Sequence, residues 1–183
     1  ALALYRVRRR RAREVRPGAG GGLRGGGEGA AVAAGEIGHI NVEPFGAPCG
    51  CGSRGCVEQY ASATAIVRMA RELGMKELTA EDVYEAGRNG DEQALSVFKK
   101  FGMYLGIGLA NLMNLIDPQI IVLTGGAVNG WDLFANEMYR QVGERAFRAT
   151  AQQVKIARAE CGDNAGLLGA ARIALQDLQD FHD

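Results

Sequence analysis

Apolar residues recur every three or four positions over a long stretch in the middle of the chain. This spacing predicts one face of a long α-helix, because residues three and four apart lie on the same side of a helix. Asp91 suits the N-cap, and the helix is expected to end at Ile116, because the residue before Pro118 avoids the helical region. The apolar positions are Leu95, Phe98, Phe101, Leu105, Leu109, Leu112 and Ile116. Three glycines on this helix predict close packing against a neighbouring element; they are Gly102, Gly106 and Gly108.

Shorter patterns on either side of this helix predict alternating helices and strands. Apolar and β-branched runs predict short strands at residues 40–42, 119–124 and 154–157. Helical spacing and capping residues predict helices from Cys56 or Val57 to about Leu73, from Ala80 to Arg88, from about Trp131 to Phe147, and from Asp163 to Ala174. This order of elements predicts an α/β lobe with a mostly parallel sheet.

The first 34 residues differ in composition from the rest. Residues 1–27 carry eight Arg and one Glu, a net charge of +7, and glycine and alanine dominate the end of the segment. Such a composition cannot supply an apolar face for packing. We therefore expect residues 1–34 to be disordered or non-native, and residues 35–183 to form the folded domain. A nucleic-acid-binding arm at the arginines or a phosphate loop at the glycines is less favoured.

The remaining residues are mildly acidic, which gives no basic surface for nucleic acid. The longest uncharged apolar run covers residues 101–116 and contains Asn111 and Asn114. It is shorter than the ~20 residues that span a bilayer, so no membrane association is expected. No apolar signal-peptide core follows the N-terminal arginines. We expect a reducing cytoplasm, which also suits thiols used for metal binding.

One imidazole and three thiols fall within eighteen residues: His39, Cys49, Cys51 and Cys56. Four ligands of these types suit tetrahedral Zn²⁺, and a site with all four positions filled by protein is normally structural. Glycines between the cysteines let the backbone wrap tightly. Unrelated buried thiols are a less favoured interpretation, and a disulfide would leave an odd cysteine. The distant Cys161 is expected to be a buried thiol outside the metal site.

The same stretch resembles a known protein family. The pattern C-x-C-G-x-x-G-C-x-E is matched at every fixed position from Cys49 to Glu58, and it follows GEIGHINV. Together with GLANLMNLIDPQIIVLTGGAV and GDNAGLLGAA, it resembles the ROK family, which joins bacterial sugar kinases and sugar-responsive repressors. The resemblance covers roughly residues 35–175. It implies the C-terminal lobe of the actin-like, ribonuclease-H-like sugar kinase fold, with a structural zinc loop.

The resemblance also implies ligand roles. A hexose is recognised through its hydroxyls, and carboxylates accept strong hydrogen bonds from them. Glu36 and Glu58 are expected to bind sugar hydroxyls, and His39 to bind both zinc and sugar. Gly125 and Gly126 resemble the turn that contacts adenosine, although a double glycine alone is more typical of a plain tight turn. The family's catalytic Asp, its neighbouring Asn and its first phosphate turn do not appear in this sequence, so the catalytic residue stays unknown.

These features favour an ATP- and Mg²⁺-dependent hexose kinase that converts glucose to glucose 6-phosphate in carbohydrate metabolism (glycolysis). The complete protein is expected to be a homo-oligomer, and this chain alone is expected to be inactive. A ROK-family sugar-responsive repressor, which would bind nucleic acid through an upstream helix-turn-helix, remains open. A kinase for another hexose or an N-acetylated amino sugar also remains open. A purely structural zinc module is less favoured because of the acids and the double glycine.

Overall fold

The computed structural model describes the backbone of Leu2–Ala3 and residues 36–76 and 79–159. The chain divides into two compact units. The first unit comprises residues 1–36, 118–125 and 154–183, and the second comprises residues 37–117 and 126–153. The predicted helix from Asp163 to Ala174, Cys161, and all of the segment 1–34 except Leu2–Ala3 lie outside the described residues.

The first unit contains a three-stranded sheet. Its strands are β1 (Leu2–Ala3), β2 (Ile120–Leu123) and β3 (Lys155–Arg158), in the order β1-β2-β3. Strands β2 and β3 pair in parallel with Ile121 opposite Ile156, whereas β1 pairs antiparallel with β2. The strands predicted at 119–124 and 154–157 are confirmed to within one or two residues, because their buried apolar positions set the pattern.

The second unit is helical and is built around one long helix. Its helices are α1 (Ala63–Glu72), α2 (Ala80–Arg88), α3 (Glu92–Ile116), α4 (Trp131–Arg145) and α5 (Arg148–Gln153). The predicted bounds of α2 and α3 are confirmed. Asp91 caps α3 by accepting a hydrogen bond from the Ala94 backbone N–H, and Asp117 ends it in the left-handed region at φ 48°. Local capping and the proline thus set both ends of this helix.

Helices α3 and α4 pack closely because glycines remove side chains where they meet. A Cβ at Gly102 would lie 2.5 Å from the Phe134 carbonyl oxygen, and one at Gly106 would lie 2.6 Å from the Met138 carbonyl oxygen. The aromatic rings of Phe101 and Phe134 meet between the helices at a centroid distance of 4.9 Å. The prediction of close packing at these glycines is therefore confirmed.

Three predicted elements are wrong in detail. The strand expected at 40–42 is a single bridge between Asn41 and Cys56. The helix expected from Cys56 or Val57 is a short 3₁₀ helix at Val57–Gln59, and α1 begins only after Ser62, whose extended backbone and hydroxyl cap it. The helix expected to reach Phe147 ends at Arg145, and α5 follows it. Asn114 causes this break by accepting the Phe147 N–H and donating to the Arg145 carbonyl.

Within the described part of the chain, none of the helices combines the length and the hydropathy needed to cross a membrane. This includes α3, the longest of them.

Candidate metal centre and sugar site

Residues 39–58, called the metal loop below, form a compact wrap with little regular structure. The backbone N–H of Gly52 donates to the Cys49 carbonyl at 3.1 Å, and the N–H of Cys49 donates to the Ser53 carbonyl at 2.9 Å. Together these bonds make a tight turn that carries Cys49 and Cys51. Gly55 has φ 68°, and a Cβ there would lie 1.7 Å from the Glu43 carbonyl oxygen. Only glycine fits this position, which comes directly before Cys56.

The turn brings the four predicted metal ligands together. One ligand atom from each of His39, Cys49, Cys51 and Cys56 lies within 4.8 Å of all the others. The Cys51 and Cys56 sulfurs are 3.7 Å apart, and the Nδ1 atom of His39 is 3.6 Å from the Cys49 sulfur. Cys49 and Cys56 are buried, whereas Cys51 is exposed.

These distances fit a tetrahedral zinc ion. With Zn–S bonds of about 2.3 Å and a Zn–N bond of about 2.0–2.1 Å, tetrahedral angles place two sulfurs about 3.8 Å apart and a sulfur and nitrogen about 3.5 Å apart. The Cys51–Cys56 and His39–Cys49 separations agree with these values to within about 0.1 Å. Separations in the cluster extend up to 4.8 Å, so the side chains would close in slightly around an ion. Three sulfurs and one nitrogen are also the donor set of closed structural sites. The chemistry and the spacing of the four side chains therefore both suit Zn²⁺.

The three thiols differ in pKa because their surroundings differ. Burial, with added effects of Cys49 and Cys51, raises the pKa of Cys56 to about 12. The Cys51 backbone lowers the pKa of Cys49, but the hydrogen bond to Glu58 and burial outweigh this and raise it overall. The Ser53 backbone and the Cys49 side chain lower the pKa of Cys51. Without a cation, protons stay on the buried thiols, and a bound metal would displace them.

Glu58 lies beside the metal cluster. Its Oε1 atom accepts a hydrogen bond from the Cys49 thiol at 3.1 Å and lies 3.7 Å from His39 Nδ1. The Glu58 side chain is 42% exposed and the His39 side chain 34% exposed, so both reach solvent. The structure thus brings together two of the three predicted sugar-binding residues. Glu36 is exposed and belongs to the other compact unit, so its predicted role stays a prediction.

The double glycine follows β2, as predicted. Gly125 has φ 101°, in the region that favours glycine, and Gly126 begins a 3₁₀ helix that runs to Gly130 and leads into α4. Among the described atoms, none lies within 4 Å of where a Gly126 Cβ would be. The two glycines fall in different compact units. Their predicted contact with a nucleotide stays a prediction.

Two tyrosines and an acid that the sequence analysis did not single out anchor the metal loop. The rings of Tyr60 and Tyr104 stack with their centroids 4.0 Å apart. The Tyr104 hydroxyl donates to Glu43 Oε2 at 2.9 Å, and the Ala47 backbone N–H donates to the Tyr60 hydroxyl at 2.9 Å. Glu43 and Tyr104 are 61 positions apart, so no local pattern could have linked them.

Helix α3 also contacts the end of the metal loop, at Gly108. A Cβ at Gly108 would lie 2.8 Å from Cγ2 of Val57, the residue after Cys56. Val57 is buried, and its backbone N–H donates to the Ile40 carbonyl. The face of α3 that carries Gly108 and Tyr104 thus holds both ends of the metal loop.

Comparisons with known proteins agree with this architecture. A sequence model described as the ROK family matches residues 14–177. The glucokinase of Halalkalibacterium halodurans is 38% identical over 159 residues, which cover 78% of this chain and 48% of that protein. The xylose repressor of Bacillus subtilis (strain 168) is 31% identical over 147 residues, which cover 80% of this chain and 38% of that protein.

A solved structure gives the same result. The ROK family glucokinase from Streptomyces griseus, in complex with glucose and AMPPNP, superposes with a TM-score of 0.66 at 34% sequence identity. The match covers 78% of this chain and 52% of that one. This chain therefore spans about half the length, or less, of the proteins that it matches. The sequence match over most of the chain and the shared α/β kinase fold show that it belongs to the ROK family.

Proposed function

We propose that this chain is the sugar- and zinc-binding C-terminal lobe of an actin-like, ATP-dependent hexose kinase that converts glucose to glucose 6-phosphate. The glucokinase from Streptomyces griseus, with glucose and AMPPNP bound, supports this proposal through its 34% identity over most of the chain. A kinase for another hexose or an N-acetylated amino sugar would use the same lobe.

The orientation of the His39 ring is the main observation that supports the proposed sugar site. Its Nδ1 atom lies 3.6 Å from the Cys49 sulfur, so the Nε2 atom lies on the opposite side of the ring. A metal that holds Nδ1 fixes both the tautomer and the direction of Nε2. Nε2 would then donate a hydrogen bond to a sugar hydroxyl without any contact between metal and sugar. The zinc is thus structural in this proposal.

Carboxylates complete the proposed sugar site. Glu58 shares the cluster with His39 and is half-exposed, so its free oxygen can accept from sugar hydroxyls. Glu36 is a further candidate acceptor for a sugar hydroxyl. ATP with Mg²⁺ would meet the backbone N–H groups at Gly125 and Gly126, since a turn that opens a helix presents such donors. The base that accepts the proton of the reacting hydroxyl would come from the rest of the complete protein.

The test uses the complete protein that contains this chain, in a coupled assay for glucose phosphorylation. Loss of a hydrogen bond to a charged group costs about 1.5–3 kcal/mol, so Glu58→Gln should raise the KM for glucose tenfold or more. The KM for ATP should stay nearly unchanged. Glu81→Gln is the matched control, because Glu81 is an exposed acid in the first turn of α2. Unchanged kinetic constants in Glu58→Gln would remove Glu58 from the site.

The 183-residue chain alone should not phosphorylate glucose. Phosphoryl transfer depends mostly on positioning and charge stabilisation, and the family's base and first phosphate turn do not occur in this sequence. Turnover on the order of 10 per second, an ordinary enzyme's rate, would contradict this expectation.

A sugar-responsive repressor is the second candidate function. The match to the xylose repressor of Bacillus subtilis covers 80% of this chain at 31% identity, and the match to the Halalkalibacterium halodurans glucokinase covers 78%. This function would place the same sugar site in a protein that binds DNA through an upstream helix-turn-helix. Sugar-dependent DNA binding by the complete protein, without turnover of ATP and sugar, would favour it over the kinase.

A further inference from the structure

Two stacked tyrosines connect three parts of the second unit: α3, the start of the metal loop and its end. Tyr104 lies on α3 and Tyr60 directly follows the 3₁₀ helix at Val57–Gln59. Both residues are buried. Among the described contacts, their hydroxyls do not bond to each other but bond to two positions in the first half of the metal loop, Glu43 and Ala47.

These contacts close into a ring. Tyr104 donates to the Glu43 carboxylate, and the Glu43 backbone N–H donates to the Gly55 carbonyl at 3.2 Å. The Gly55 N–H donates to the Ala47 carbonyl at 2.8 Å, and the Ala47 N–H donates to the Tyr60 hydroxyl. Tyr60 then stacks on Tyr104. The ring therefore passes through the backbone of Gly55, the residue that precedes the ligand Cys56.

Among the hydrogen bonds of the ring, the bond between Tyr104 and Glu43 joins the residues that are furthest apart in the sequence. It lies in a partly buried setting. Burial, and then the hydrogen bond to Glu43, raise the pKa of Tyr104 to about 12. The phenol therefore keeps its proton and stays a donor at every physiological pH. A charge-assisted bond of this kind is about twice as strong as one between neutral groups.

We propose that Tyr104, acting through Glu43, is a positioning residue that holds the metal loop in its ligating conformation, so that α3 controls how long the metal stays bound. This inference rests on the zinc site of the proposed function. Without the bond, the Glu43 side chain would no longer be tied to α3. The segment from Glu43 to Ala47, whose backbone pairs with Gly55 beside Cys56, would then open more often. A loop that opens more often releases its metal faster, because dissociation begins with local opening.

The experiment measures zinc transfer from the zinc-loaded full chain to a chromophoric chelator. Tyr104→Phe keeps the stacked ring and removes only the hydroxyl, so we expect release about tenfold faster, the loss typical for a bond to a charged group. Glu43→Gln still accepts the phenol hydrogen through its amide oxygen but lacks the charge, so an intermediate rate is expected. The matched control is Tyr84→Phe, because Tyr84 lies on α2 and packs edge-on against Phe98; its release rate should equal the wild type's.

The outcomes separate two failures. If the wild-type chain holds no zinc, the metal site itself is wrong and the inference falls with it. If the wild type holds zinc and Tyr104→Phe releases it at the wild-type rate, the zinc site stands and the positioning role is wrong. A purely structural role for the hydroxyl would lower the Tm of the metal-free chain and leave the release rate unchanged. That result would also overturn the inference.

Discussion

The metal loop and the α3–α4 helix pair are held together in different ways within one compact unit. The helix pair buries apolar side chains such as Phe98, Leu109 and Met138, each at most 1% exposed. The metal loop buries few apolar groups and depends on backbone hydrogen bonds, left-handed glycines and thiols. Burial of a large apolar side chain contributes about 1.5–3 kcal/mol, so apolar burial is the main stabilising contribution in the helix pair. The metal loop, in contrast, depends for its stability on specific hydrogen bonds and on its ligand side chains.

Glycine shows the difference most clearly. In the helix pair, Gly102 and Gly106 have helical neighbours on both sides and serve only to let α4 approach. In the metal loop, Gly52 and Gly55 have φ 90° and 68°, a conformation that other residues rarely adopt. The same residue type is thus used for close approach in one region and for backbone shape in the other. Substitutions at glycine can therefore separate the two regions.

Gly55→Ala should give the largest effect, and it should act on the metal. The positive φ costs an Ala about 1–2 kcal/mol, and a clash with the Glu43 carbonyl adds about 1–3 kcal/mol. Since 1.4 kcal/mol is tenfold in a binding constant, zinc affinity should fall at least ~30-fold in a competition titration. Gly50→Ala is the control, because a Cβ there meets no described atom within 4 Å. Equal zinc affinity for the two variants would contradict the role assigned to Gly55.

Gly106→Ala should act on the fold and spare the metal. Its Cβ would lie 2.6 Å from the Gln141 Cβ and from the Met138 carbonyl oxygen. Overpacking of this kind costs about 1–3 kcal/mol, of which the better helix propensity of Ala recovers at most about 1 kcal/mol. At about 2–4 °C per kcal/mol for a chain of this size, the Tm should fall by several degrees, with zinc affinity unchanged. Gly143→Ala on α4 is the control. Its Cβ meets no described atom, so helix propensity should raise the Tm slightly. A loss of zinc in Gly106→Ala would show that the regions are not independent.

The smallest effect is expected at the start of α2. The Thr79 backbone N–H and hydroxyl donate to Asp82, which lowers the pKa of that carboxyl. A carboxyl with a lowered pKa stabilises the fold above its ordinary pKa, and this contribution is lost as the pH falls through the folded-state value. In the presence of chelator, wild type should have a higher Tm than Asp82→Asn at neutral pH, and the gap should close in acid. A gap that stays constant with pH would exclude this role for Asp82.

The sequence predicted the helix pair better than the metal loop for a physical reason. The bounds of α2 and α3 follow from local signals, namely Thr79 and Asp91 as caps and Pro118 after the end. The helix predicted from Val57 failed because Tyr60 turns away to stack on Tyr104, which lies 44 positions along the chain. Such a contact competes with helix propensity and leaves no local pattern. α1 then starts afresh at the Ser62 cap.

For the site, the spacing of the cysteines was enough to predict which thiols would meet. His39, Cys49, Cys51 and Cys56 converge as expected. The sequence could not show that Glu58 would bond to the Cys49 thiol, or that Glu43 would reach α3. Both contacts depend on the path of the loop backbone, which Gly55 and Ala47 fix through bonds across the loop. The four ligands can thus be predicted from their spacing in the sequence. The contacts that hold the loop in place depend on the three-dimensional fold.

The central claim is that four side chains of the metal loop form a closed zinc site. Zinc K-edge X-ray absorption on the zinc-loaded chain tests it most directly, with Cys161→Ser and Cys51→Ser as paired variants. We expect three sulfurs at about 2.3 Å and one nitrogen at about 2.0–2.1 Å, both in the wild type and in Cys161→Ser. In Cys51→Ser we expect loss of one sulfur or of the metal. A shell of only nitrogen and oxygen, or an unchanged three-sulfur shell in Cys51→Ser, would contradict it.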